Sequence, residues 1–265
     1  MKYKIGIIGI GIMGKAILDG ILQKNLLNPN EIALFDVSSE KLAEYNKSSF
    51  GIFNNANELI NNSEYVLLSI KPQQSLDLFN AVKFNDYNVL ISIMAGVRIE
   101  TLKKRANANI SISRIMPNTP CKIGQGISAI CYENCTKEHK DFIKSLFATC
   151  GAIIEVEEKY FDAITSISGS GPAYVYMFID GMIKGGIQGG LSYEESKKLA
   201  INTVIGASAL ALQSDESLET LTDMVCSKGG TTIEAVKIYK NEGLQSLIIK
   251  GIEACRNRSK ELSKQ

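Results

Sequence analysis

The chain has 265 residues, 45% of them hydrophobic and 22% charged, a globular balance that excludes a largely disordered polypeptide and leaves room for one or two domains. Its 29 basic and 28 acidic residues leave a net charge of +1 with no basic block, which argues against nucleic acid or an anionic membrane as a partner. No apolar run reaches the ~18 residues of a membrane span, the N-terminus is patterned at once instead of reading as a signal peptide, and six cysteines are too sparse for a disulfide scaffold, so a cytoplasmic protein with reduced thiols is expected.

Short β-branched runs at 4–8, 32–36, 65–70, 89–92, 110–115, 127–131 and 152–156 read as strands. Amphipathic stretches at 13–24, 39–46, 73–82, 99–105 and 137–148 read as helices between them. This alternation predicts an α/β fold, a Rossmann-like doubly wound and mainly parallel sheet covered on both faces, over residues 1–158. Beyond Glu158 the strand period disappears, and 172–188, 193–213, 218–226, 232–240 and 244–262 carry helical periods. Residues 159–265 are therefore expected to form a second, all-helical domain. Ser192 and Glu195 have the spacing of a capping box, and Pro172 suits the first turn of a helix.

The sharpest motif is Gly9-Ile10-Gly11-Ile12-Met13-Gly14, which follows an apolar strand and opens a helix. There the first glycine makes the tight turn, the second lets a pyrophosphate approach the backbone, and the third lets helix pack on strand. Asp36 closes the next strand 22 residues after Gly14, near the ~20 expected of a ribose-binding carboxylate, and it favours NADH over NADPH. Ser38, Ser39 and Lys41 offer the opposite reading, a loop that holds a 2′-phosphate, and Asp36 as a plain turn or cap residue is a third.

Oxidation of an alcohol usually asks for a histidine or lysine base, yet the one histidine, His139, lies in the charged run 137–141 and reads as a solvated helix face. A protonated imine needs less acid–base help, because its carbon is already electrophilic and the site has mainly to hold it against the nicotinamide. Cys131 and Cys135 are spaced like metal ligands, but no further Cys or His pair completes a set of four, and no metal is expected.

Six segments taken together, Gly9 to Gly14, Ser69-Ile70-Lys71-Pro72, Ser92 to Val97, Arg114 to Pro120, Ser168-Gly169-Ser170-Gly171-Pro172-Ala173-Tyr174 and Gly229 to Ala235, resemble the pyrroline-5-carboxylate reductases, in order and over nearly the whole chain. The resemblance implies NAD(P)H-dependent reduction of Δ1-pyrroline-5-carboxylate to proline, by a dimer at least whose helical domains interlock around a shared small-molecule site. It also implies that Ser69, Ile70, Lys71 and Pro72, with Ile93, Met94 and Ala95, line the cofactor. The substrate would be met by Glu158, Gly230, Thr231 and Thr232, with Thr232 and Ser227 placed at the chemistry. Physical reasoning supports the last group on its own: glycines followed by a helix leave free amides for a carboxylate, and the Thr232 hydroxyl reaches a ring nitrogen or carboxylate. A capping box between Thr231 and Glu234 is the plainer alternative.

Three positions depart from the family's usual pattern: Lys228 where a proline is usual, Thr222 where a lysine is often found, and Asp36 where a small or polar residue is common. Gly181, Gly185 and Gly189 fall four apart on one helical face, which predicts a close helix crossing, across a dimer or within one subunit. Ser168 to Gly171 reads as a tight connector into that helix with its serines near the nicotinamide, or as a plain turn. Three rivals remain: a β-hydroxyacid dehydrogenase, disfavoured because Tyr174 to Met177 stand where its lysine is expected; a reductase of another cyclic imine; and a non-catalytic dinucleotide sensor.

Overall fold

The computed structural model describes residues 2–46, 48–106 and 109–263. In chain order the first part of the fold runs β1 (Tyr3–Ile8), α1 (Ile12–Gln23), β2 (Ile32–Phe35), α2 (Ser39–Leu42), β3 (Gly51–Ile52), α3 (Ala56–Asn62), β4 (Ser63–Leu68) and α4 (Ser75–Ala81). It continues with β5 (Val89–Ser92), α5 (Ile99–Ala106), β6 (Ser111–Met116), β7 (Gly126–Glu133), α6 (Lys137–Ala148), β8 (Gly151–Glu155), α7 (Phe161–Ile164) and a π-helical turn, Thr165–Gly169. The helices α8 (Gly171–Gln188), α9 (Tyr193–Gln213), α10 (Leu218–Val225), α11 (Thr231–Asn241) and α12 (Leu244–Leu262) follow.

One compact unit takes in the chain up to Ser170 together with the segment from Cys255 onward; Gly171–Ala254 form the other. In the first, eight strands lie in the order β3-β2-β1-β4-β5-β6-β7-β8. All neighbours are parallel except β6 and β7. The exception has a simple cause: the link 117–125 holds only a short 3-10 turn, Thr119–Ile123, while a parallel crossover takes about a dozen residues or more.

Strand side chains alternate between two faces, and both are buried. Ile8, Val66, Leu68, Leu90 and Ile112 pack with Leu59, Phe79 and Leu102 on one side. Ile5, Ile7, Leu34, Leu67 and Ile91 pack with Ile17, Leu18, Ile21, Ile143 and Phe147 on the other. Each such side chain contributes roughly 1.5–3 kcal/mol on burial, which is why the strands read as continuous apolar runs.

Three elements lie outside the sequence expectation. β3 has two residues, too few for any period. α3 carries four asparagine or glutamate residues in seven and starts on Asn55, whose Oδ1 accepts the amides of Asn57 and Glu58. The segment from α7 to the π turn has no clean helical repeat, since a π turn shifts the register by one residue. In addition, α2 is shorter than expected, giving way to a 3-10 turn at Ala43–Tyr45.

In the second unit Ser192 caps α9 in the anticipated box with Glu195. Among its described residues only Ile183, Ser196 and Ala200 are buried. Tyr176, Met177, Ile205 and Leu212 stand in solvent, the last 88% exposed, so these helices carry apolar faces that one chain leaves uncovered. A Cβ built on Gly181 or Gly185 meets nothing within 4 Å, whereas one on Gly186 falls 2.6 Å from Ser196 Oγ. The close crossing within the chain is therefore at Gly186, between α8 and α9, one residue off the glycine stripe. No helix among the described residues is long and apolar enough to cross a membrane.

Candidate functional site

The strand order reverses between β1 and β4, the place where an open α/β sheet leaves a crevice at the carboxyl ends of its strands. Gly9 follows β1 with φ +98°, and a Cβ there would lie 2.5 Å from the Ser69 carbonyl oxygen after β4. Gly14 is closed in the same way, with its Cβ direction 2.1 Å from the Gly9 carbonyl oxygen. Gly11 differs, because a Cβ built on it meets nothing within 4 Å. Packing inside the chain demands glycine at positions 9 and 14, but at 11 the space is kept open toward the groove.

Gly11 is also the N-cap of α1, which has neither a side-chain cap nor an acidic residue in its first turn. The first-turn amides of Ile12, Met13 and Gly14 thus sit at an uncompensated positive helix end, suited to a phosphate. Beside it runs a groove of about 520 Å³, within the range of small-ligand sites, lined among others by Gly9, Gly11, Asp36, Lys41, Asn55 and Ser69. The residues present therefore fit a dinucleotide.

Asp36 is buried at the head of this groove. Its Oδ2 accepts the Ile10 amide at 2.8 Å, its Oδ1 accepts the Ser38 amide at 2.9 Å, and Lys41 Nζ lies 3.2 Å away. Burial works to raise its pKa, but these two amides and the lysine outweigh it and hold the carboxyl below the usual aspartate value. Ile70 and Lys71 line the groove with Ser69, while Pro72 starts the 3-10 turn Pro72–Gln74 just beyond. Ile93, Met94 and Ala95 follow β5; Ile93 donates its amide to the Leu68 carbonyl, and Met94 is buried in the core. Asn54 and Asn55 lie outside the sequence expectation, although Asn55 three residues before Glu58 has the spacing of a helix cap.

Glu158 also lies in the first unit. Its Oε1 accepts the Ile99 amide at the start of α5 and pairs with buried Arg114, at 2.8 Å for both contacts, and the guanidinium stacks on Phe161. His139 is not the solvated residue expected: it is half-buried, its Nδ1 lies 3.1 Å from Ser111 Oγ, and its ring meets Tyr65 edge-on at 6.0 Å. Its amide is bonded to the Thr136 cap of α6. Among the described residues no group of three or more His, Cys, Asp or Glu side chains is placed to hold a metal ion.

The remaining expected residues lie in the second unit, at the start of α11. Gly229 has φ +72°, and the Gly230 amide donates to the Ser227 carbonyl at 3.0 Å. A Cβ on Gly230 would fall 2.2 Å from Ser227 Oγ, so a side chain there would have to turn that hydroxyl aside. Gly230 is the N-cap, and Thr231 and Thr232 open the helix with free amides. The capping-box alternative is overturned: Thr231 is the first helical residue instead of the cap, and Glu234 pairs with Lys237 at 2.7 Å.

A doubly wound sheet with this glycine turn, followed by a helical unit with uncovered apolar faces, defines a dinucleotide-dependent oxidoreductase of the dimerising kind. Residues 158–262 match the model of the pyrroline-5-carboxylate reductase dimerisation family, and residues 4–96 match that of the coenzyme F420-dependent NADP oxidoreductases. The chain is 35% identical to a pyrroline-5-carboxylate reductase of Glycine max, covering 99% of this chain and 97% of that one, and 32% identical to that of Escherichia coli over 100% of both. Among solved structures, the Plasmodium falciparum pyrroline carboxylate reductase with NADP bound superposes with a TM-score of 0.90 at 30% identity, covering 98% of each chain. The chain belongs to the pyrroline-5-carboxylate reductase family.

Proposed function

We propose that this NAD(P)H-dependent enzyme reduces Δ1-pyrroline-5-carboxylate to L-proline, with residues 1–158 holding the dinucleotide and 159–265, together with Glu158, supplying the substrate groups and the dimer contacts. The observation that carries the reading is Gly11, kept free of a side chain where the chain itself does not require it, at the positive end of α1.

The first-turn amides of α1 bind the pyrophosphate, and Asp36, Ser38 and Lys41 meet the adenosine ribose. Ser69 to Pro72 and the backbone of Ile93 to Ala95 flank the nicotinamide half, with Ser168 to Ser170 on the same carboxyl end of the sheet. When bound there, a reduced nicotinamide would supply the hydride that the imine carbon accepts. The amides of Thr231 and Thr232 hold the substrate carboxylate at the helix terminus, and the Thr232 hydroxyl, with Ser227 on the turn beneath, orients the ring nitrogen. Glu158 stands by the substrate as a charge fixed by Arg114. No strong general base is needed, because the substrate enters as an iminium.

The uncovered apolar faces of α8 to α12 support a homodimer, able to assemble further. Six free cysteines support a reducing, cytoplasmic setting. Near-neutral charge supports neither nucleic acid nor membrane as a partner. The test is direct: absorbance at the reduced-nicotinamide band is followed with Δ1-pyrroline-5-carboxylate and either NADH or NADPH. Consumption of at least one is expected, and consumption of neither refutes the assignment.

A further inference from the structure

Asn118 lies just past the end of β6 and is the N-cap of the 3-10 turn Thr119–Ile123, yet its side chain does not cap that turn. An asparagine in that position ordinarily turns its oxygen onto the amides of the following helix. Here Oδ1 accepts the Ile127 amide at 3.0 Å, and Nδ2 donates to the Ser168 carbonyl at 3.1 Å. The side chain is buried, and only one orientation of its amide makes both bonds, since one partner is a donor and the other an acceptor.

The Ser168 carbonyl has a reason to need this donor. It belongs to the π turn Thr165–Gly169, closed by the Ser170 amide on the Thr165 carbonyl at 2.8 Å. Four residues after Ser168 the sequence places Pro172, which has no N–H to continue an α-helical ladder. The same turn rests on β6 from the other side, where a Cβ on Gly169 would fall 2.5 Å from Met116 Cε. Asn118 is thus the hydrogen-bonded peg between the carboxyl end of the sheet and the Ser168 to Ser170 turn.

We infer that Asn118 is a positioning residue for hydride transfer, acting through the Ser168 carbonyl to hold the Ser168-Gly169-Ser170 turn against the nicotinamide end of the site. The inference rests on the reductase reading above. Aspartate at 118 keeps an acceptor for Ile127 but offers no donor to Ser168 when ionised; serine is too short for either bond. The two variants therefore separate a role through Ser168 from a structural role through Ile127.

Asn118→Asp and Asn118→Ser are assayed at pH 8 for kcat and KM with Δ1-pyrroline-5-carboxylate, for NADPH affinity by fluorescence, and for folding by circular dichroism. Both are expected to lose about tenfold or more in kcat while NADPH affinity stays within about twofold. A folded Asn118→Asp with wild-type kcat overturns the inference and leaves Ile127 as the partner that matters. Should Asn118→Asp fail to fold, a folded Asn118→Ser with wild-type kcat overturns it equally. Wild-type protein that oxidises neither cofactor refutes the reductase reading itself, a distinct outcome from active wild type with unaffected variants.

Discussion

The carboxylate of Asp36 braces the glycine turn from below, accepting the Ile10 amide at 2.8 Å, so the end of β2 and the loop after β1 are fixed by one buried bond. Lys41 reaches the same carboxylate while remaining about half exposed. The acidic residue and the basic one that point to opposite cofactors in the sequence are therefore a single ion pair, and on the proposed reading its balance sets the charge that the adenosine ribose would meet.

Removing one member should tilt that balance. Lys41→Ala leaves the carboxylate unopposed and should lower kcat/KM for NADPH relative to NADH by about tenfold, ~1.4 kcal/mol. Asp36→Ser should shift the ratio in the opposite sense by a similar factor. Steady-state kinetics with both cofactors on each variant decides; equal ratios in all three proteins would place the ribose away from this pair.

Asp36 also links stability to pH. Its pKa is lower in the folded chain than the ordinary aspartate value, so the ionised form favours the fold. The contribution is fully present above about pH 4 and is lost as pH falls through the lower folded-state pKa. Asp36→Asn should cost about 1–3 kcal/mol at pH 7, through lost charge-assisted bonds to the buried Ile10 amide and the half-buried Ser38 amide, and the gap to wild type should close under acid. Urea titrations at pH 7 and at pH 3 measure it, and a gap independent of pH would contradict the linkage.

Neighbouring glycines of α8 should respond in opposite ways. Gly185 borders open space in the chain, so Gly185→Leu should leave the subunit folded while overpacking a crossing between subunits by about 1–3 kcal/mol, seen as dissociation in sedimentation velocity. Gly186→Leu presses on Ser196 within the chain and should lower Tm whatever the assembly state. A Gly185→Leu protein that stays a dimer would remove the stripe from the interface.

What is legible in the sequence follows the strength of the local signal. The strand-turn-helix at Gly9 to Gly14 and the Ser192 cap depend on neighbours in the chain, and both stand as read. β3 has only two residues, and it is held by parallel pairing with β2, a contact no local pattern announces. Asn118 escapes for the same reason: its partners lie 9 and 50 residues away, on another strand and in an irregular turn. His139 misleads because a charged run describes one face of α6, while the ring turns back onto Tyr65.

His139 and Thr232 make the sharpest contrast for the mechanism. His139 supports α6 from its first turn and touches Tyr65 and Ser111, all on the sheet side of the first unit. His139→Ala should therefore lower stability by about 1 kcal/mol, the cost of a disturbed cap, and leave kcat/KM nearly unchanged. Thr232 is half-buried at the amino end of α11, where its hydroxyl takes no partner among the described residues and the helix amides are free. Thr232→Val keeps the shape but removes the hydroxyl, so about 2–3 kcal/mol should be lost from kcat/KM through positioning, with the fold intact. Thermal melts and steady-state kinetics on the two variants separate these effects. If a folded His139→Ala dimer lost turnover while Thr232→Val kept it, proton transfer from a histidine would replace orientation by the threonine as the basis of catalysis.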